Sequence, residues 1–471
     1  MRHTSISLLL PLALSGCFMI GPDYQRPDAS IPEAWRFAPA ETVAAVDSRW
    51  WEQFGDPQLT RLIEQALLYN KDLLIATATV EEYLGLYSVT RADLFPQISG
   101  SASGQQQKTS EAAYGAVPTP AFNSIQSALN LSWEIDVWGR LRRATEAARA
   151  NLYGQEEIRR TVVLTLVTGV ARSYVQLCEL DLRLEIAKQT LTDRQEAYRI
   201  AQARFEGELN SEAQVRQAES EVHNAAALVP QLEKQVAQKE HELSVLLGHN
   251  PIAIERGLPL AELHLPGVPA GLPSELLTRR PDIRQAEQDL IAASANIGVA
   301  KGEYFPKFTV TGSLGGASAD FSRLLSGPAG MWSYGVGLAM PLFTAGKIAG
   351  QVKAAEAREQ QALLRYQSTL LQAFRETEDA LVDNNKTQEQ VQALSRQEIA
   401  LHEYLRLAWL RYNNGLTNYL EVLDAQRNLF NVKLSLATGR SNALQALINL
   451  YKAFGGGWVE KVSENQEAPH S

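Results

Sequence analysis

The chain has 471 residues, of which 45% are hydrophobic and 21% charged, and its formal net charge is −9. This length accommodates two or three domains or one elongated domain. The negative charge argues against a nucleic-acid-binding surface. Two cysteines, Cys17 and Cys178, are too few for a disulfide scaffold or a cysteine-based zinc cluster.

The N-terminus has the features of an export signal. A short basic head precedes an apolar stretch at residues 6–14, which is too short to cross a membrane as a helix. The following Leu-Ser-Gly-Cys at 14–17 resembles a bacterial lipobox, which implies cleavage before Cys17 and covalent lipid on it; a plain secretory signal is the alternative. Phe18 stands where an aspartate would retain such a lipoprotein at the inner membrane, so the resemblance implies the outer membrane. We expect no transmembrane helix in the mature chain, because no other stretch reaches 18 apolar residues.

The chain repeats itself at a nearly constant offset. Asp72 and Asp282 each open a helical segment that ends in Phe-Pro. Further along, Gly139 matches Gly346 and Gly248 matches Gly455, once one short gap is allowed between the strands. We therefore predict two structural repeats, 72–248 and 282–455, joined by the Pro- and Gly-rich linker 249–273.

Each repeat contains two segments in which apolar and polar residues alternate, as in strands with one apolar face. They lie at 97–107, 125–135, 307–314 and 332–340. A soluble sheet with its apolar face inward and a membrane barrel with lipid outside both fit this pattern. Four strands do not close a membrane barrel, and an open edge in lipid costs several kcal/mol for each unpaired backbone group. The membrane alternative therefore requires several chains, and a trimer supplies twelve strands.

The remaining sequence predicts helices. Residues 140 to about 205 and 347 to about 413 predict single helices of about 65 residues, roughly 100 Å long. The shorter segments 72–92, 211–247, 282–301 and 418–452 are expected to stack end to end beside them. Small and polar residues interrupt the apolar stripe of these helices, which favours a hollow helical barrel in which each helix has one face in solvent. An ordinary coiled coil is the alternative.

Six motifs occur in order over nearly the whole mature chain. They are Gly-Pro-Asp-Tyr-Gln-Arg-Pro at 21–27, Trp-Trp at 50–51, Phe-Gly-Asp-Pro at 54–57, Arg-Arg-Pro-Asp-Ile at 279–283, Phe-Pro at 305–306 and Val-Leu-Asp-Ala-Gln-Arg at 422–427. With them the sequence resembles the TolC-like outer membrane factors, in the lipoprotein branch that serves drug-efflux pumps.

The resemblance implies a mostly α fold with membrane β structure: a trimer forming a 12-stranded β-barrel that is continued by a long α-helical barrel, with internal duplication. It implies a signal peptide (1–16), a lipidated segment and equatorial belt (17–71), repeat 1 (72–248), a linker and belt (249–281), repeat 2 (282–455) and a C-terminal tail (456–471). The implied function is that of a passive outer-membrane exit duct for small molecules such as drugs, in a tripartite system with a periplasmic adaptor and an inner-membrane pump. No cofactor besides the lipid on Cys17 and no enzymatic activity are expected, since no convergent nucleophile–base or metal set is visible.

By the same resemblance, a gate lies at the periplasmic tip, where the long helices turn. Gly207, Asn414 and Gly415 occupy these turns, and Gly and Asn suit the left-handed backbone found there. Glu421 and Asp424 share one helix face because they are three residues apart. Spacing alone favours two solvated surface acids; the resemblance implies two stacked rings of carboxylates, which favour cations.

Tyr412 matches a tyrosine that links neighbouring tip helices in the family. Two other family link residues are absent: Thr417 replaces an arginine and Gln214 an aspartate. Three arginines are candidates to replace the missing link residues, namely Arg204, Arg216 and Arg411, and the sequence does not distinguish among them. The first repeat differs at the matching positions, which hold Phe205, Gln214 and Gln217.

Three other functions are alternatives to drug efflux. Within the channel class, the cargo is alternatively metal ions or secreted proteins. From another class, the chain is alternatively a non-conducting structural lipoprotein with a coiled-coil stalk.

Overall fold

A computed structural model describes residues 19–28, 30–37, 49–108, 110, 121–208, 211–264 and 273–456. Cys17, the proposed lipid site, and most of the C-terminal tail lie outside these residues. Contacts divide the chain into two compact units. The first contains the described residues of segments 1–28, 79–156 and 285–367, and the second contains those of 29–78, 157–284 and 368–471.

The helices follow the predicted segments closely. They are α1 (Pro57–Tyr69), α2 (Lys71–Ala92), α3 (Arg140–Glu206), α4 (Glu212–Leu246), α5 (Leu276–Arg279), α6 (Pro281–Gly302), α7 (Lys347–Asn413) and α8 (Tyr419–Ala453). Short 3-10 segments lie at Trp50–Phe54, Pro273–Glu275, Phe321–Arg323 and Gly327–Ala329. The two long helices predicted from the sequence are confirmed as α3 and α7, whereas the pattern did not predict α1 or α5.

The duplication is visible in the backbone. Matching helices have equal lengths: 22 residues in α2 and α6, 67 in α3 and α7, and 35 in α4 and α8. Gly139 and Gly346, which precede the long helices, both have a left-handed backbone, with φ of 77° and 85°. Gly248 and Gly455, which follow the last helices, have φ of 78° and 74°. A side chain is disfavoured in this region, so glycine is kept at both copies of each turn.

The first unit contains one antiparallel sheet in the order β1 (Gln97–Gln107), β2 (Phe122–Ile135), β3 (Lys307–Ser318) and β4 (Gly330–Ala339). All four predicted strands are confirmed. Within the described residues, β1 and β4 each pair with a neighbour on one side only.

The register places most of the large apolar side chains of this sheet on one face. Leu129 pairs with Leu314, and Leu314 pairs with Trp332. No Asp, Glu, Lys or Arg of the four strands lies on this apolar face, whereas the opposite face carries Glu134 and Lys307 together with Ser, Thr, Asn and Gln. Large side chains of the apolar face are exposed, with Trp332 at 71% and Val336 at 76%. Within one chain, this face therefore does not pack inward against the rest of the fold.

In the same unit, residues 19–28 form an N-terminal strap on the helices. The Ile20 amide donates to the Trp138 carbonyl at 3.0 Å. Arg143 pairs with Asp23 at 2.6 Å. Arg26 donates twice to the Glu287 carboxylate, at 2.7 and 2.5 Å, and the Tyr24 hydroxyl donates to it at 3.0 Å. The Gly-Pro-Asp-Tyr-Gln-Arg-Pro motif therefore binds the strap to α3 and α6.

In the second unit, the Phe-Gly-Asp-Pro motif anchors the start of α1. Asp56 caps the helix by accepting from the Gln58 amide at 2.8 Å. Its other oxygen accepts from the Tyr174 hydroxyl at 2.6 Å and from the Leu258 amide at 3.0 Å. The preceding Trp50 is fully buried and stacks on Tyr451, with ring centroids 5.1 Å apart. This motif therefore joins the N-terminal segment, α3 and the linker.

The Arg-Arg-Pro-Asp motif, also in the second unit, forms an ion-pair cluster around the buried Arg280. Arg280 contacts Asp282 at 2.6 Å and Glu376 at 2.7 Å, and it also donates to the Ala453 carbonyl at 3.2 Å. This cluster joins the start of α6 to α7 and to the end of α8.

One helix bears on the expectation that the mature chain has no transmembrane helix. Among the described residues, α3 contains a window that is long and apolar enough to cross a membrane. Within the structure 61% of that window is buried, as in the core helix of a folded protein, so length and composition are its only membrane features.

Candidate functional site

The turn between α7 and α8 is built by the residues predicted for it. Gly415 has a left-handed φ of 71°. Its amide donates to the Tyr412 carbonyl at 3.0 Å, and the Leu416 amide donates to the Arg411 carbonyl at 2.9 Å. Asn414 donates its side-chain amide to the Leu410 carbonyl at 2.7 Å. These bonds satisfy the last carbonyls of α7 and fix how α8 leaves the turn.

The corresponding turn after α3 differs from the prediction. Glu208 has the left-handed backbone, with φ of 60°, whereas Gly207 is still bonded to the Ala203 carbonyl at 3.2 Å. Gly207 therefore matches Asn414 rather than Gly415. A non-glycine residue in this conformation costs roughly 1–2 kcal/mol. Residues 209 and 210 lie outside the described part of the chain.

Gln214, which replaces a family aspartate, contributes to the start of α4. Its side-chain oxygen accepts from the Ser211 amide at 3.4 Å, as in a capping box. Gln214 therefore has a local partner in this chain.

Tyr412 lies in an aromatic cluster of one chain. Its ring centroid is 6.0 Å from that of Trp409 and 5.5 Å from that of Tyr419. The Arg204 guanidinium of α3 lies 4.7 Å from the Tyr412 centroid, which is cation–π geometry. Burial in this cluster raises the pKa of Tyr419 to about 12. Tyr412 therefore joins the ends of α3, α7 and α8.

Glu421 forms an ion pair and a hydrogen bond at the turn. Arg411 of α7 lies 2.5 Å from one carboxylate oxygen, and the Thr417 hydroxyl donates to the other at 2.5 Å. The Glu421 side chain is 20% exposed. Thr417, which replaces a family arginine, thus contributes a hydrogen bond but no charge, and Arg411 supplies the charge from across the turn.

Asp424, one helical turn further, has a different environment. It is exposed and accepts from the neutral Asn428 amide at 3.0 Å. Glu421 therefore pairs with a cation across the turn, whereas Asp424 hydrogen-bonds to a neutral amide on its own helix.

The three candidate arginines separate into distinct roles. Arg411 pairs with Glu421, Arg204 lies over Tyr412, and Arg216 pairs with its own helix neighbours Glu212 and Glu219. Sequence spacing does not distinguish these roles, because they depend on how α3, α4, α7 and α8 align at the turns.

Arg194 is a charged residue of this region that sequence reasoning missed. Its side chain is nearly buried, lies 3.0 Å from the Glu221 carboxylate and sits 5.4 Å from the Phe430 centroid. Burial lowers its pKa. No spacing or motif in the sequence marks this position.

Comparisons with known proteins agree on one family. The model of the outer membrane efflux protein family matches residues 62–249 and 272–456. The chain is 35% identical over 464 residues to the probable efflux pump outer membrane protein TtgC of Pseudomonas putida, covering 97% of this chain and 96% of that protein. It is 34% identical over 454 residues to the cation efflux system protein CusC of Escherichia coli O6:H1, covering 95% and 97%.

A solved structure shares the fold. The open state of the Neisseria gonorrhoeae MtrE outer membrane channel superposes with a TM-score of 0.85 at 30% sequence identity. The superposition covers 94% of this chain and 99% of that chain.

Proposed function

The chain belongs to the outer membrane efflux protein family, and from that premise we propose that it is the outer-membrane exit duct of a tripartite efflux system. The proposed cargo is small molecules such as drugs. The duct is passive, so an inner-membrane pump supplies the energy and a periplasmic adaptor joins the two.

The sheet is the observation that carries this proposal. Its uncharged apolar face is exposed, and its outer strands β1 and β4 have unpaired edges within the described chain. In an outer-membrane protein such a face suits lipid, but its edges do not, because unpaired backbone groups in hydrocarbon cost several kcal/mol each. A homotrimer resolves this by closing a 12-stranded barrel with the polar face toward the lumen.

The helices support the same assembly. A groove of about 920 Å³ runs along α6 and α7 in the first unit, and small side chains such as Ala292, Ala355 and Ala362 line much of it. Small residues permit a close approach of another helix. We propose that a neighbouring chain supplies that helix and that the helices of three chains form the long α-helical barrel.

The gate is proposed at the tip turns. Glu421 and Asp424 supply acids, Tyr412 anchors the end of α7, and the turns contain Gly207, Asn414 and Gly415. Three copies of each acid would form two rings that favour cations over anions.

Lipid on Cys17 is proposed as the membrane anchor, together with the domain division predicted from the sequence. Met19, two residues later, lies against Gly139, where the sheet leads into α3. The strap thus leads toward the end of the sheet, where a lipid would enter the membrane. Lipid chains at this point would add to the hold that the barrel provides.

Gene deletion tests the drug-efflux function. In a strain without paralogues, deletion is expected to increase sensitivity to dyes, detergents and antibiotics, and wild-type complementation is expected to reverse it.

The acidic tip and the similarity to a cation efflux protein favour metal ions as a second candidate cargo. Sensitivity to metal ions alone would select that candidate, and unchanged sensitivity to both groups would contradict small-molecule efflux.

Conductance separates a channel from a structural stalk. Purified protein in planar bilayers is expected to conduct, and more so after Glu421→Ala and Asp424→Ala if the acids contribute to closure. A complete lack of conductance in the wild type and in both variants would support the stalk.

A further inference from the structure

The connection between β3 and β4, residues 319–329, folds back onto the sheet. It contains the two short turns Phe321–Arg323 and Gly327–Ala329. Gly316 of β3 is buried beneath it, and a Cβ at this glycine would lie 2.6 Å from the Leu324 carbonyl oxygen. The loop backbone therefore rests directly on the sheet, at the end away from α6 and α7.

The loop occupies the apolar face. Gly316 is two residues from Leu314 along β3, so both lie on the face that carries Trp332. Two grooves of about 590 and 450 Å³ lie between the loop and the sheet. Small residues of β1 and β2 line them, namely Gly100, Ala102, Gly104 and Ser127. These small side chains leave the space that the loop covers.

Two large apolar side chains of the loop are exposed, while the third, Leu324, is half-buried. Phe321 is 78% exposed and Leu325 is 98% exposed. The loop has two charged residues, Asp320 and Arg323, which lie 3.9 Å apart and are both exposed. The loop thus adds protruding apolar groups to an apolar face and carries its charges beside them.

We propose that residues 319–329 form a lipid-binding loop, in which Phe321 and Leu325 insert among the acyl chains of the outer leaflet. This inference rests on the proposed barrel, because that proposal puts lipid on the apolar face. A lid over the pore does not fit, since the polar face that would line the lumen is on the other side of the sheet. Arg323 and Asp320 then lie at the level of the lipid headgroups.

Site-specific fluorescence tests the proposal. Leu325→Cys and, separately, Phe321→Cys are made in a Cys178→Ala background and labelled with a small fluorophore. The full-length trimer is reconstituted in phosphatidylcholine vesicles with or without brominated acyl chains. Trp332→Cys reports the apolar face of the sheet, and its neighbour Ser333→Cys reports the polar face. Brominated lipid is expected to remove most of the fluorescence at Leu325, Phe321 and Trp332 and to leave Ser333 unchanged, whereas iodide quenches Ser333.

Three other quenching results would contradict the lipid-binding loop or the barrel on which it rests. Quenching of the two loop labels by iodide alone, with lipid quenching at Trp332, would place the loop in water and overturn the proposal while leaving the barrel intact. Loop labels that neither quencher reaches would indicate a protein partner and would also overturn it. A lack of lipid quenching at Trp332 would contradict the proposed function itself.

Discussion

Glu421 and Asp424 are three residues apart on one helix, yet their charges are balanced differently. Arg411 and Thr417 hold the Glu421 carboxylate, and Asp424 is exposed beside Asn428. The spacing predicts that the two acids share a helix face. It does not predict the pair with Arg411, because that contact depends on the alignment of α7 and α8 across the turn.

Removal of Arg411 is expected to make the channel more cation-selective. Arg411→Gln removes the cation paired with Glu421, so the tip of the proposed trimer would lose three positive charges and become more negative. The fold should be little affected, because a partly exposed ion pair contributes roughly 0.2–1 kcal/mol. The reversal potential in a KCl gradient measures the change.

Arg406→Gln is the matched control for this prediction. Arg406 pairs with Glu403 at 2.7 Å on the exposed surface of the same helix. The reversal potential should stay at the wild-type value in this variant. A reversal potential unchanged in Arg411→Gln and in Glu421→Gln would remove both residues from the gate.

The Cys178 thiol is expected to be unreactive in the folded protein. Burial raises its pKa to about 12, compared with about 8.5 for an exposed cysteine. The thiolate that attacks disulfide reagents is therefore scarce at pH 8. Because the folded pKa is the higher one, the fold loses stability as pH rises above about 8.5.

Reaction with an aromatic disulfide reagent at pH 8 tests this expectation. The thiol should react quickly in denaturant and slowly without it. Cys178→Ala isolates its contribution from that of Cys17. Equal reaction rates with and without denaturant would show that the thiol is accessible.

At the scale of elements, hydrophobic periodicity predicts most strands and helices within a few residues. These elements are long and strongly patterned, and glycines mark their ends. Periodicity does not predict the strap or the β3–β4 loop, since neither has a repeating pattern and both depend on distant contacts. The first tip turn was mispredicted at Gly207, because the glycine is one residue before the left-handed position at Glu208.

The strap is expected to detach when Glu287 is removed. Glu287→Ala deprives Arg26 and Tyr24 of their shared partner, and hydrogen bonds to a charged group contribute about 1.5–3 kcal/mol. Hydrogen exchange of the amides in 19–28 should become faster, with much smaller changes in α8.

The control removes an exposed acid from the same unit. Glu356→Ala breaks a contact with Lys301 and should leave exchange in the strap unchanged. The Glu287→Gln variant should give an intermediate effect. Wild-type exchange in the strap of Glu287→Ala would show that other contacts, such as Asp23 with Arg143, are sufficient.

At the scale of the whole molecule, the count of four strands was the most informative sequence feature. It requires more than one chain if the sheet lies in lipid, and the structure confirms both the count and the exposed apolar face. The contacts between chains cannot be derived from one sequence in the same way. They depend on how the β1 and β4 edges and the groove along α6 and α7 meet another copy.

A charge on the apolar sheet face is expected to destabilise the assembly in membranes. Val336→Arg should cost about 2–4 kcal/mol if the residue lies near the bilayer midplane. Ser333→Arg, on the opposite face of β4, should cost much less. The urea midpoint for loss of the oligomer in vesicles measures the difference, and equal midpoints would argue against lipid on the apolar face.

The equal lengths of the matched helices have a consequence for symmetry. In the proposed trimer, two helical units per chain with the same residue counts make six nearly equivalent units around the axis. A partner that recognises backbone shape would therefore meet an approximately sixfold surface. The acids follow a different symmetry, because Glu421 and Asp424 correspond to Gln214 and Gln217 in the first repeat. In the proposed trimer, the pore opening would thus be threefold inside a nearly sixfold wall, and the proposed adaptor would meet six similar surfaces around a gate with three equal parts.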